Sequence, residues 1–253
     1  MPTISVITPV HAPSVQHLKD AYASLVSQEM PSGWTWEWIV QEDGQNGILK
    51  GALPNDPHIS VGQNRNGGPG VTRSLALSRA SGELIKSFDA DDILTPGALK
   101  RDIAAFADPA ISWTVSSALD LLPDGSTVSY DTDPPEGLIR RGELVKYWLE
   151  NDFRSPVMSA TICIRREVLY ALGGWMALPA SEDTALMLCA NATVNGYFIS
   201  TPGLHYRKWP GQVTQDAAHS EQVEREARTQ LIRDRVLALL KMDTGVPVVD
   251  GLP

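Results

Sequence analysis

Short β-branched and apolar runs that end in acids or turn residues, separated by segments of helical spacing, constrain this chain more than any other feature. Thr3 to Val10 reads as a buried strand of a parallel sheet. Val15, Leu18, Tyr22, Leu25 and Val26 then recur at helical spacing, with Ser14 as a cap and Pro31 as the stop. Trp36 to Gln41 reads as a second strand, running into the acidic turn Glu42-Asp43-Gly44, and His58 to Val61 as a third. This alternation is the pattern of a doubly wound sheet, whose ligands bind beyond the carboxyl ends of the strands.

Phe88-Asp89-Ala90-Asp91-Asp92 follows a further apolar segment, Glu83 to Phe88. Like charges at that spacing repel, and folding alone gives no reason to gather them. A divalent cation with oxygen ligands gives one. Thr95 and Pro96 read as the cap and first residue of the next helix, which leaves the acids unexplained.

Asn66-Gly67-Gly68-Pro69-Gly70 opens a helix from about Val71 to Ala80. It is no dinucleotide fingerprint, because Arg73 stands at the third glycine position. Its backbone N–H groups can still meet an anion. By spacing alone, Arg73 reads as part of a solvated helix face. Leu99, Ile103 and Phe106 mark one face of a helix; Ser112 to Leu119 and Thr127 to Tyr130 read as strands; Asp131 to Gly137 reads as a loop. Glu143 to Glu150 reads as a helix and Ala160 to Ile164 as a buried strand. Ser181-Glu182-Asp183-Thr184 opens another helix, where first-turn acids favour the dipole. Tyr197 to Ser200 reads as the last strand, His205 to Gly211 as a mobile aromatic and basic loop, and Ala217 to Lys241 as a helix with a stripe through Val223, Ala227 and Val236.

The net charge of −9 over 253 residues argues against nucleic-acid or anionic-membrane partners. Cys163 and Cys189 are too few for a disulfide framework and read as buried thiols. No leader and no bilayer-length apolar run is evident, so a soluble cytoplasmic protein is the expectation.

In order, these segments resemble glycosyltransferase family 2, of the GT-A fold. The resemblance lies in Ser5 to Val10, Ser24-Leu25-x-x-Gln28, Trp38 to Gly44, Asn66-x-Gly68-x-x-x-x-Arg73 with Ser81-Gly82-Glu83, Phe88 to Asp92, and Glu182-Asp183. It is close over residues 3 to 105 and sparse to about residue 215. It implies a Rossmann-like α/β fold with a mostly parallel mixed sheet flanked by helices. One domain over residues 1–241 would hold a nucleotide-sugar half (1–110), an acceptor half (111–215) and a C-terminal helix (216–241), followed by a tail (242–253).

By the same resemblance, Pro9, Val10 and His11 lie against the donor, with His11 where an aromatic stacks on the base. Asp43 accepts from the base and favours uracil. Arg73 lies near the base and phosphates. Asp89 meets the ribose or a metal-bound water, Ala90 lies against the donor, and Asp91 ligates Mn²⁺ or Mg²⁺. Glu182 and Asp183 form the acidic pair, with Asp183 as general base for inverting transfer. A helix N-terminus is expected to lower the pKa of Asp183. Arg207 and Lys208 clamp the diphosphate. His205 stays open between metal ligand and ordinary loop histidine. The partners implied are a nucleotide-sugar donor, UDP-linked by preference, and a small-molecule or glycan acceptor. A nucleotidyltransferase and a non-catalytic sugar-nucleotide-binding protein are the alternatives. Pro9 to Ser14 counts against the first, lacking that class's glycine-rich basic loop. Retention of Asp91 and Asp183 counts against the second.

Overall fold

A computed structural model describes residues 1–212 and 221–252, the side chain of Pro13 excepted. The chain runs β1 (Thr3–Val10), α1 (Leu18–Val26), β2 (Thr35–Asp43), β3 (Ile59–Asn64), α2 (Gly68–Ala76), β4 (Leu84–Ser87), β5 (Ile93–Leu94) and α3 (Ala98–Ala105). It continues through β6 (Trp113–Leu121), β7 (Thr127–Ser129), β8 (Gly137–Ile139), α4 (Glu143–Glu150), β9 (Cys163–Arg165), α5 (Arg166–Ala171), α6 (Glu182–Thr193), β10 (Gly196–Arg207) and α7 (Gln222–Leu240). The sheet order is β3-β2-β1-β4-β9-β6-β10-β5, with β7 on β6 and β8 on β10. The longest ladders, β1 with β2 and β6 with β10, are parallel, and β9 joins the two sets antiparallel to both β4 and β6.

Alternation along the strands divides the core between the two faces. Ile4, Val6, Val10, Trp38, Val40 and Leu84 face Leu18 and Leu25 of α1 and Leu99 and Ile103 of α3. Ile7, Ile39, Ile85 and Val115 face Ala76 of α2, Val145 of α4, Ile232 and Val236 of α7, and α6. In α6 every residue except Thr184 is buried, so this helix is enclosed on all sides.

Polar motif residues tie these layers together. Glu37 Oε1 accepts from Ser5 Oγ (2.6 Å), Ser81 N (2.7 Å) and Gly82 N (3.2 Å), fixing the turn into β4. A Cβ at Gly82 would meet the Ser5 N and Thr3 O at 2.7 Å. Gln28 Nε2 donates to Thr95 O (3.0 Å) and its Oε1 accepts from Leu99 N (3.2 Å), so the end of α1 holds the start of α3.

Several expected features differ. Ser14 Oγ bonds back to His11 O (3.0 Å) in a 3-10 turn, and α1 begins later, at Leu18. Thr95 Oγ1 donates to Pro202 O (2.5 Å), and Gly97, in the left-handed region, takes the cap position of α3. His205, Tyr206 and Arg207 lie inside β10, not in a loop, because that strand continues past a register shift between Ile199 and Leu204. Residues 217–220 of the expected last helix lie outside the described residues. In α7 the buried stripe is Arg228, Ile232 and Val236, whereas Val223 is exposed. The tail is docked: Arg141, itself buried, donates to the carbonyls of Ala192, Leu240, Met242 and Val246. Cys163 and Cys189 are free and buried, as expected.

Beneath the acidic turn, Lys86 of β4 pairs with Asp102 of α3 at 2.8 Å, both almost wholly buried, and Asp102 also accepts from Thr114 Oγ1 (2.7 Å). Lys86→Met leaves Asp102 unpaired, and urea denaturation is expected to show a loss of about 3–5 kcal/mol. Lys86→Met with Asp102→Leu is expected to recover most of it.

Candidate active site

A cleft of about 730 Å³ opens beyond the carboxyl ends of β1, β2 and β4, between the N-termini of α2 and α6. Pro9, Val10 and His11 line it from β1, and Asp43 from β2. Arg73 lines it from α2, Asp89, Ala90 and Asp91 from the turn after β4, and Glu182 and Asp183 from α6. Residues more than a hundred positions apart thus meet at one end of the sheet. Gly70 permits it, since a Cβ there would run into the Met176 carbonyl ahead of α6.

Arg73 is the hub, and it is buried, not solvated. Its Nη1 donates to Glu182 Oε1 (2.5 Å), and its Nη2 donates to Asp89 Oδ1 and lies 3.2 Å from Asp183 Oδ2. Burial works against its charge, but the carboxylates of Asp183, Asp89 and Glu182 outweigh that and hold it protonated. One cation facing three acids leaves the acids under-compensated. Burial first, with Glu182 and Asp89 adding to it, pushes the Asp183 carboxyl up to about 7, against the pull of Arg73 and of an indole N–H. The expected lowering by the helix N-terminus is therefore overturned: desolvation and like charge exceed the dipole. Asp183 Oδ1 accepts from Trp175 Nε1 (2.7 Å) and Ser87 Oγ (3.2 Å).

In the acidic turn, burial and then Asp89 raise the Asp91 carboxyl above its ordinary value. Asp92 is raised further, by burial and then by Asp91 and Asp89. Its Oδ1 accepts from Arg207 N (3.0 Å), while Oδ2 is buried with no hydrogen-bond partner. The crowded hard oxygens of Asp89 and Asp91, both lining the cleft, suit a divalent cation. Among the described residues no three His, Cys, Asp or Glu side chains converge on one ion. A site completed by ligand phosphates needs only one or two protein carboxylates.

Other candidates sit differently. His205 and Arg207 are not among the lining residues. Tyr206 lines the cleft, so alternation along β10 turns His205 away. Arg207 Nε donates to Asp91 O (2.7 Å) and its Nη2 to Asp20 (2.8 Å), so it braces the turn from behind. Lys208 pairs with Asp120 at 3.1 Å. Asp43 accepts from Gly67 N (2.8 Å) and Gly68 N (3.1 Å), holding the loop before α2 as well as lining the cleft. Sequence reasoning misses Trp175, Ser87 and the contact of Trp209 Nε1 with Asp91 Oδ2 (2.6 Å). A buried indole N–H needs an acceptor, but nothing local says which.

Residues 5–129 match the family model for Glycosyl transferase family 2. The O-antigen biosynthesis protein RfbC of Myxococcus xanthus is 27% identical over 218 residues, 82% of this chain and 16% of that protein. The putative teichuronic acid biosynthesis glycosyltransferase TuaG of Bacillus subtilis (strain 168) is 27% identical over 142 residues, 54% of this chain and 55% of that one. The chain thus spans about half the length of one curated relative and a small part of the other. Its fold matches that of S. aureus TarS 1-349 in complex with UDP-GlcNAc, with a TM-score of 0.65 at 20% identity over 94% of this chain and 72% of that one. The match to the UDP complex has a TM-score of 0.62 at 21% identity, over 94% and 71%. The fold is GT-A, as the sequence resemblance implies.

Arg73→Met removes the cation that contacts three buried or half-buried acids. Thermal and urea melts are expected to show a loss of about 3–5 kcal/mol near neutral pH. Protonation relieves the repulsion left behind, so the deficit against the native chain is expected to shrink as pH falls from 7 toward 4.

Proposed function

The chain belongs to glycosyltransferase family 2, and from that premise we propose that it transfers a sugar from a UDP-linked donor to an acceptor hydroxyl with inversion. The observation that carries this reading is the convergence of Asp91 and Asp183 on one cleft, with Arg73 tying the acidic turn to the start of α6. Asp183 is the general base. With its carboxyl near 7, it is a stronger base than an ordinary aspartate yet still largely ionised in mildly alkaline solution. Trp175 and Ser87 hold its Oδ1 and so fix its orientation. Oδ2, shared with Arg73, takes the acceptor proton as the new glycosidic bond forms. No protein nucleophile is needed, and a single displacement inverts the anomeric carbon.

Asp91 is assigned to a divalent cation, Mn²⁺ or Mg²⁺, which when bound supplies Lewis-acid charge to the departing diphosphate. Pro9 to His11 and Asp43 border the nucleoside end of the cleft. The likeness to TarS in complex with UDP and with UDP-GlcNAc supports uridine. Relatives named for O-antigen and teichuronic acid biosynthesis favour a glycan acceptor over a small molecule. Among the described residues no helix is long and apolar enough to cross a membrane.

The product anomer, read by NMR after reaction of a UDP-sugar, tests the reading: inversion is expected, and retention overturns it. Asp183→Asn is expected to cut transfer by roughly 10²–10⁴-fold while leaving donor affinity nearly unchanged. Because the base acts ionised, the transfer rate of the native enzyme is expected to rise with pH and level off above an apparent pKa near 7. A profile flat from pH 5 to 9 would remove the role from Asp183.

A further inference from the structure

We propose that Trp209 is a positioning residue for Asp91: its indole N–H holds one carboxylate oxygen so that the other is presented to a divalent cation in the cleft. The inference rests on the assignment of Asp91 to the cation. Trp209 Nε1 donates to Asp91 Oδ2 at 2.6 Å. Two residues earlier, Arg207 Nε donates to the Asp91 carbonyl at 2.7 Å, and the Arg207 N–H to Asp92 Oδ1 at 3.0 Å. The end of β10 and the residues just after it therefore grip both the main chain and the side chains of the acidic turn.

The indole is itself held. Its ring meets His17 edge-on, with centroids 4.6 Å apart and planes at 69°. Gly211 packs against it so closely that a Cβ would run into the ring. The Trp209 backbone N–H donates to Gln212 Oε1 at 3.3 Å, and Gln212 lines the cleft. An indole N–H only donates, so Trp209 cannot ligate a cation. It can fix the rotamer of a group that does. Asp91, beside Asp89, has electrostatic reason to swing away from the turn, and the Trp209 bond opposes that. Hydrogen-bonded partners of metal ligands contribute about 10–100-fold in metal affinity.

The opposite role is competition, in which the indole must leave Asp91 before a cation binds. The two differ in sign. Mn²⁺ is titrated into the full chain with saturating UDP, free Mn²⁺ being read by EPR, and UDP binding is followed by calorimetry with Mn²⁺ and with EDTA. Trp209→Phe keeps a ring and removes the N–H. It is expected to weaken Mn²⁺ binding by about 10–100-fold, with UDP affinity in EDTA at the native level. Gly211→Ala keeps the indole but forces the ring aside, and is expected to weaken Mn²⁺ binding in the same direction. It decides the matter should Trp209→Phe fail to fold. Native or tighter Mn²⁺ affinity in a folded variant overturns the positioning role. Native-chain UDP affinity equal in Mn²⁺ and EDTA overturns the underlying metal assignment, and the proposal with it.

Discussion

The contact of one guanidinium with three carboxylates is the interaction on which the rest of this molecule turns. Arg73 sits on α2, Asp89 at the end of β4, and Glu182 and Asp183 at the start of α6. Taking that many charges out of water is costly, and only close mutual contact offsets it. The cluster can form only if α2 and α6 approach closely, which Gly70 allows, and if β4 ends where the sheet ends. The same contact pulls the buried Asp183 carboxyl down, while burial first, and then Glu182 and Asp89, bring it up to about 7.

Around this hub, polar residues of the motif segments act mostly on the backbone. Glu37 holds Ser81 and Gly82 at the approach to β4, Gln28 holds the start of α3, and Asp43 holds the loop before α2. These bonds set the height at which each strand end delivers its side chain to the cleft. The end of β10 then closes the acidic turn from the far side, through Arg207 and Trp209. The two faces of the sheet contribute unequally. α1 and α3 bury one face and brace the turn from below, whereas α2 and α6 on the other face carry Arg73, Glu182 and Asp183.

Much of this was legible in the order of the residues. The near-continuous apolar run from Thr3 to Val10, and the acids that end the strand over 35–43 and follow the strand over 84–87, are local properties. They required a sheet with its binding edge at the carboxyl ends, and the ordered motifs pointed to GT-A. The cleft lining includes the expected residues from Pro9 through Asp183.

What the sequence could not determine depends on distance through space. Spacing put Arg73 on a solvated face, and only the approach of α6 buries it. The dipole argument lowered the pKa of Asp183, but burial and two neighbouring acids, one from the turn after β4, raise it. His205 read as a loop residue open to metal, and the continuation of β10 after a register shift turns it away from the cleft. The sequence by itself therefore determined the fold, the end of the sheet where the cleft opens and the acids gathered there, because apolar strand runs and turn chemistry are local. Tertiary structure alone decided which groups are charged, which are paired and which face the cleft, because desolvation and Coulomb interaction depend on neighbours that only folding brings together.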